Sequence, residues 1–185
     1  MKFITLNNLH SARLIKDTIV FPLKVNHDES TILIETMRTD WPKVYEKKRK
    51  FFMQYCSTIP SGRAKDANAW HYHKKQEDRT IIVNGAIILV LADSRKKSPT
   101  YGVINVFYMK ANENPYMILI PKKVLHTILV VSQEKAIILN FPTALYNPGD
   151  NITIPFVEGG IFLSKNMCFN WQFIKKHFDL YSKFL

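Results

Sequence analysis

Residues 79–91 read RTIIVNGAIILVL. Two apolar, β-branched runs meet at Asn84-Gly85, a dipeptide that strongly marks a two-residue hairpin turn. The stretch therefore predicts two strands paired antiparallel across that turn. Strand-like runs continue downstream at Val103 to Met109, at YMILI within Pro115 to Pro121, at Thr127 to Val131 and at Ala136 to Phe141. A turn at Asn147-Pro148-Gly149-Asp150 precedes a last short run, Ile152 to Phe156. Runs of this kind at intervals of about 8–12 residues, with turn residues between them, indicate a β-sandwich, barrel or jelly roll. They do not alternate with helical patterns, which argues against a parallel α/β sheet.

The ends read differently. Asp40 to Phe52 is charged and is expected to form a short helix or an ordered loop. From Asn170 the tail reads NWQFIKKHFDLYSKFL. Trp171, Ile174, Phe178, Tyr181 and Leu185 recur there at helical spacing, so a C-terminal helix over about 168–185 is expected to pack an aromatic stripe on the sheet. The whole chain, 1–185, reads as one domain with its core at about 28–164.

The chain is 46% hydrophobic and 22% charged, which excludes a disordered or collagen-like protein. Its longest apolar run, Ala86 to Ala92, is far short of the ~20 residues of a membrane span, so no membrane partner is expected. The stretch MKFITLNNLHSARL has no continuous apolar signal core, and Cys56 and Cys168 make no disulfide framework, so a reducing cytoplasm is the expectation. A formal charge of +11 favours an anionic partner. Lys43, Lys47, Lys48, Arg49 and Lys50 cluster, as do Lys122 and Lys123, but no nucleic-acid-binding signature accompanies them. A phosphate-attracting rim or a solvated face is the expected role.

Chemistry-bearing residues concentrate in two places. The first is Trp70-His71-Tyr72-His73-Lys74-Lys75-Gln76-Glu77; on a strand His71 and His73 project from one face. The second is Pro121 to His126, directly after YMILI. Together they resemble the two cupin motifs: two histidines one residue apart, a Glu four residues on and a Gly (here Gly85), then a Pro, a loop and a His. The resemblance implies that His71, His73, Glu77 and His126 could hold one divalent transition metal ion, a donor set that suits Fe, Mn, Ni or Zn.

A closer resemblance runs from about Asp28 to about Ser164. Residues 92–102, ADSRKKSPTYG, resemble the Asp-x-Arg-x-x-Ser-Pro-Thr-Phe/Tyr-Gly segment of the dTDP-4-dehydrorhamnose 3,5-epimerase family, itself a cupin family. Ile120-Pro121 with His126 and Val131-Ser132, and Tyr146-Asn147-Pro148, match further segments in the same order. The resemblance implies a cupin jelly roll, a homodimer, and epimerisation of a nucleotide-linked 4-keto sugar without a cofactor. It places the base at His71 and the acid at Tyr146, and puts Glu35, Gln54, Trp70, Arg79 and His126 around the substrate. Imidazole suits removal of a proton next to a ketone, because its pKa lies near neutrality.

The chain also departs from the family. Ser30-Thr31 stands for an Arg-Gly pair, Asn68 for an Arg, His73 for a Gln, Asp78 for an enolate-stabilising Lys, and Asn166 for the Asp that supports the base. Arg63, Lys65, Lys74 and Arg79 are the cations that could compensate. Two other readings follow: a metal-dependent cupin using His71, His73, Glu77 and His126, and a cupin that binds a nucleotide sugar without turning it over.

Overall fold

The computed structural model describes residues 3–6, 13–113 and 115–176. Its strands are, in chain order, β1 (Phe3–Thr5), β2 (Ile19–Pro22), β3 (Val25–His27), β4 (Ile32–Ile34), β5 (Tyr55–Ile59), β6 (Ala64–Lys65), β7 (Ala69–Tyr72) and β8 (Asp78–Asn84). There follow β9 (Ala86–Ala92), β10 (Ile104–Lys110), β11 (Tyr116–Ile120), β12 (Leu125–Val130), β13 (Ala136–Asn140), β14 (Ile152–Pro155), β15 (Phe162–Ser164) and β16 (Met167–Cys168). One helix, α1, covers Trp171–Lys176.

Two antiparallel sheets face each other. One has the order β1-β10-β9-β12-β7-β14, with β6 also on β12; the other has the order β2-β11-β8-β13-β5. This is the all-β sandwich that the strand spacing predicts. The hairpin expected at Asn84-Gly85 does not form. β8 pairs with β11 and β13, whereas β9 pairs with β10 and β12, so the two runs lie in opposite sheets and the dipeptide turns the corner between them. A type I′ hairpin turn needs positive φ at both central residues. Here Gly85 has φ +76° and Asn84 is not in the left-handed region. Gly85 is required at the corner for a second reason: a Cβ there would lie 2.7 Å from Ser132 Oγ and 2.8 Å from the Lys135 carbonyl oxygen.

The physical cause lies in the side chains of β9, all seven of which are buried. Ile87, Leu89 and Leu91 join the core between the sheets, while Ile88, Val90 and Ala92 face a second core with Phe156, Phe169, Trp171 and Ile174. A strand apolar on both faces needs a covered sheet centre, and burying each such side chain contributes about 1.5–3 kcal/mol. A hairpin with β8 would place both runs in one sheet and leave the opposite sheet without its central strand. On β8 the parity is equally clear. Ile82 faces the inter-sheet core, while Ile81 faces a third cluster with Val44, Tyr45 and Phe141.

Asp40 to Phe52 is an ordered loop with no helix, and it covers that third cluster. In α1, Trp171 and Ile174 are buried at the predicted spacing. Phe178, Tyr181 and Leu185, the rest of the expected stripe, lie outside the described residues, as do His10 and His177.

Candidate active site

β7 places His71 inward, and its alternation sends the neighbouring Trp70 the other way, into the core beside Phe156 and Phe169. His73 follows just past the end of β7 on the His71 face. β12 supplies His126, directly opposite His71 in the antiparallel register, where side chains on one face are neighbours. The three imidazoles are each 7% exposed and mutually close: His71 Nε2 is 3.2 Å from His73 Nε2, and the His71 and His126 ring centroids are 5.2 Å apart. The fourth member comes from the facing sheet. Asp78 Oδ2 lies 3.3 Å from His73 Nε2 and 3.8 Å from His126 Nε2.

That carboxylate is not the one expected. Glu77 is excluded from the cluster because it precedes Asp78 and points the other way, where Arg49 Nε donates to its Oε2 at 2.7 Å. Asp78 shares its parity with Thr80 and Ile82, whose side chains face between the sheets. Parity, rather than the count of residues from the histidines, decides which carboxylate enters.

The loop after β7 is held by Asp150, whose side-chain oxygens accept the backbone N–H groups of Lys74, Lys75 and Gln76. Its carbonyl oxygen accepts from His73 Nδ1 at 2.6 Å. His73 therefore keeps a proton on Nδ1 and points Nε2 at Asp78 and His71. Burial disfavours charge on His73, but the Asp78 and Asp150 contacts outweigh it and raise its pKa. Burial, then the charges of its neighbours, pushes His71 down to about 3. Burial likewise pushes His126 down to about 4, against the pull of Asp78. Asp78 is held below the ordinary carboxylate range, its burial outweighed by the hydrogen bond to His73 and the nearby His126. These contacts favour a His73–Asp78 ion pair beside two neutral imidazoles. Because His126 Nδ1 donates to the Val124 carbonyl oxygen, its Nε2 lone pair faces the cluster.

The cluster floors a narrow cavity of about 30 Å³, lined by His71, His126, Asp78, Thr80, Tyr55 and Lys65 among others. A second, wider cavity of about 340 Å³ adjoins it and carries His73, Gln76, Tyr146 and Asn147. Tyr55 and Lys65 line both. Burial and Asp78 push the Tyr55 phenol up to about 12, so it stays protonated, and its oxygen accepts from Asn140 Nδ2 at 2.6 Å. Tyr146 is 67% exposed at the rim of the wider cavity.

Of the residues expected to bind substrate, only His126 is in the inner cavity. Arg79 is fully buried with its guanidinium donating to the carbonyl oxygens of Phe141, Val44, Arg49, Lys50 and Pro142, so it braces loops and cannot reach a ligand. Trp70 is core, not pocket wall. Glu35 pairs with Arg38 at 3.4 Å and lines neither cavity. Gln54 is exposed, while its neighbours Met53 and Tyr55 face the cavities.

A family model for dTDP-4-dehydrorhamnose 3,5-epimerase matches residues 13–165. The chain belongs to this family. The spore coat polysaccharide biosynthesis protein SpsL of Bacillus subtilis is 37% identical over 106 residues, covering 56% of this chain and 66% of that protein. The probable low-salt glycan biosynthesis epimerase Agl13 of Haloferax volcanii is 33% identical over 137 residues, covering 74% and 83%. The crystal structure of a dTDP sugar isomerase from Desulfovibrio desulfuricans superposes with a TM-score of 0.69 at 23% identity, covering 76% of this chain and 85% of that one. The cupin fold expected from the motifs is the fold of this member of the family.

One departure from the dTDP-4-dehydrorhamnose 3,5-epimerase pattern gains a physical meaning. Asn166, at the position of the supporting Asp, is exposed in the turn between β15 and β16. The groups beside His71 Nδ1 are instead Thr153 Oγ1 at 3.5 Å and Asp66 Oδ2 at 4.0 Å. Asp66 carried no signal in the sequence. Asp78 and Tyr55 become legible only once the strands β8 and β5 fix which side chains point inward.

Proposed function

We propose that this chain is a sugar-nucleotide epimerase that removes and returns a proton next to the keto group of a nucleotide-linked 4-keto sugar, with His71 as base and Tyr146 as acid. The observation that carries the reading is a buried, neutral imidazole at the floor of a cavity whose wider entrance bears a tyrosine. His71 takes the α-proton and becomes imidazolium, and the electron pair moves onto the carbonyl oxygen as an enolate. Tyr146 delivers its phenolic proton to the opposite face of the carbon, and solvent returns the His71 proton to the tyrosinate. The exchange is redox-neutral and requires no cofactor. The Asp66 carboxylate near Nδ1 favours the imidazolium as it forms. Asn68, Asp78 and Ser30-Thr31 differ from the rhamnose-forming pattern, so the reading extends to nucleotide-linked 4-keto sugars as a class and not to the rhamnose precursor.

Homodimerisation and a cytoplasmic location belong to the same proposal. Exposed Ile32, Leu33, Phe51 and Phe52 offer apolar surface for a second copy, and two free cysteines suit a reducing compartment. Among the described residues no helix is long and apolar enough to cross a membrane.

The test is deuterium uptake from heavy water into dTDP-, UDP- and GDP-linked 4-keto-6-deoxy sugars, followed by NMR. Uptake at the carbon next to the ketone is expected, and His71→Ala should lower its rate by roughly 10²–10⁴-fold. Binding of a nucleotide sugar without exchange would instead support the non-catalytic reading, and exchange that survives His71→Ala would remove the base.

One arrangement favours a second reading. The nitrogens of His71, His73 and His126 converge within 4.8 Å of one another, and Asp78 supplies the carboxylate expected from Glu77. Donors around one tetrahedral ion at ~2.1 Å lie about 3.4 Å apart, and the His71–His73 and His73–Asp78 spacings of 3.2 and 3.3 Å are close to that. A bound divalent transition metal would supply Lewis-acid or oxidative chemistry. Metal content of tag-free protein decides: about one ion per chain, lost in His73→Ala and His126→Ala, establishes this site and removes His71 as a free base.

A further inference from the structure

We infer that Lys65 is the cation that holds the enolate oxygen during proton transfer, an assignment that rests on the epimerase reading above. The argument starts from charge. Abstraction of an α-proton places a negative charge on the former carbonyl oxygen, and stabilising that charge with a fixed cation or donor is a large part of catalysis in a water-poor site. The groups of the histidine cluster do not supply one: Asp78 is an anion, His73 is committed to it, and His71 and His126 are neutral.

Four cations stand near enough in sequence to compensate, and the structure separates them. Arg79 is spent on five backbone carbonyl contacts. Arg63 and Lys74 are exposed and line neither cavity. Lys65 lines both, and is the one Lys or Arg among the described residues that line either. Its side chain carries no ion pair among the described residues, so its charge is not cancelled before a ligand arrives.

The backbone fixes where this lysine points. Lys65 pairs directly opposite Ile128 on β12, and Ile128 also lines the inner cavity, so the two side chains share that face. The Lys65 carbonyl oxygen accepts from Thr127 Oγ1 at 3.3 Å. The chain then turns through Asp66, which has φ +52°, and the Ala69 N–H closes the turn on the Asp66 carbonyl at 2.8 Å. Consecutive residues thereby present an ammonium to the cavity and a carboxylate to His71 Nδ1. The ammonium already acts on the base, since its charge contributes to holding both His71 and His126 down. It stays protonated throughout, forms no covalent bond, and its work is electrostatic.

The experiment uses the full chain with the nucleotide-linked 4-keto sugar that gives the fastest deuterium uptake, and compares wild type, Lys65→Met and Lys65→Arg. Methionine keeps the apolar stem of the half-buried side chain, so the variant is expected to fold; its thermal midpoint checks this. Lys65→Met should lose about 10²–10³-fold in kcat, with affinity for dTDP alone within about twofold of wild type, and Lys65→Arg should recover at least tenfold of the loss. The acid limb of kcat/KM should move to higher pH in Lys65→Met, because a positive charge that disfavours protonated His71 is gone. Unchanged kcat, or a loss confined to KM and dTDP affinity, overturns the assignment and makes Lys65 at most a phosphate contact. If wild type itself exchanges no proton with any of the sugars, the epimerase reading fails first and the assignment falls with it; if wild type exchanges and Lys65→Met keeps pace, only the assignment fails.

Discussion

Asp78 and Asp93 are the same side chain at nearly the same depth, 4% and 0% exposed, yet their surroundings differ in kind. Asp93 follows β9 and is caged by its own sequence neighbours. Arg95 Nε donates to it at 2.7 Å, Ser98 Oγ and Thr100 Oγ1 at 2.6 Å each, and the Arg95 backbone N–H at 3.1 Å. Every donor is fixed, and Arg95 remains charged at any ordinary pH. Asp78 has Gln76 Nε2 at 2.9 Å and the Asn140 amide beside it, and otherwise faces imidazoles that gain and lose protons across a cavity. A buried charge with permanent partners is a structural device, whereas one whose partners titrate and border open space is a site. The stretch most like the family, residues 92–102, is thus the scaffold corner and not the reaction centre.

Three substitutions separate the roles of the two carboxylates. The largest effect is expected for Asp93→Ala, which leaves an arginine and two hydroxyls without their acceptor. It should cost about 3–5 kcal/mol of stability, read as a lower urea midpoint, with proton exchange at low temperature near the wild-type rate. A loss of activity without loss of stability would reverse the two roles. The pH dependence separates the sites as well. Asp93 is held down to about 2, its burial outweighed by the Arg95, Ser98 and Thr100 hydrogen bonds. A depressed carboxylate contributes stability above its unfolded pKa of about 4 and loses it as pH falls through about 2, with no loss on the alkaline side. The Asp78–His73 pair is bounded at both ends: the raised histidine gives up its share as pH rises through its folded pKa. Urea midpoints measured from pH 3 to 9 should therefore show an alkaline decline that Asp78→Asn removes and Asp93→Asn leaves intact.

Asp78→Asn comes second. It should cut proton exchange by roughly 10–100-fold, because His73 loses the charge that favours its protonated form and presents a different hydrogen-bonding surface to His71. Its stability should change less than that of Asp93→Ala, and equal losses from the two would remove the distinction. The smallest effect is expected for Asn166→Ala: exchange within about twofold of wild type, and stability within about 0.5 kcal/mol. A large loss of exchange would return Asn166 to the support of His71, in place of Asp66.

How much of this was legible in the sequence depended on whether the signal was local. The strands of the sandwich follow from β-branched runs and turn residues, and β11 coincides with YMILI. His71, His73 and His126 follow from spacing on a strand and from a loop after β11. What failed involved parity or long-range pairing. Asn84-Gly85 marks a reversal, but nothing local says that its two arms join different sheets. Glu77 and Asp78 are adjacent, and only the start of β8 decides which faces the histidines. Arg79 looks like a phosphate ligand until the loop from Asp40 to Phe52 wraps over it with its carbonyls turned inward. Lys65 ends a two-residue strand and Asp66 follows in the turn, a segment too short to leave a pattern.

The Gly85 corner also bears on how the chain reaches this structure. β9 finds β10 across the short Asp93–Val103 connection, but β8, its immediate neighbour in sequence, must wait for β11 and β13 to be placed. Topologies dominated by such non-local pairings fold on the millisecond-to-second scale. Until β11 and β13 arrive, Thr80–Val83 is an uncharged β-branched segment with two open edges, the kind of surface through which partly folded chains associate. The residue that sets the geometry of the sandwich therefore also sets the interval during which a newly made chain is most exposed to aggregation.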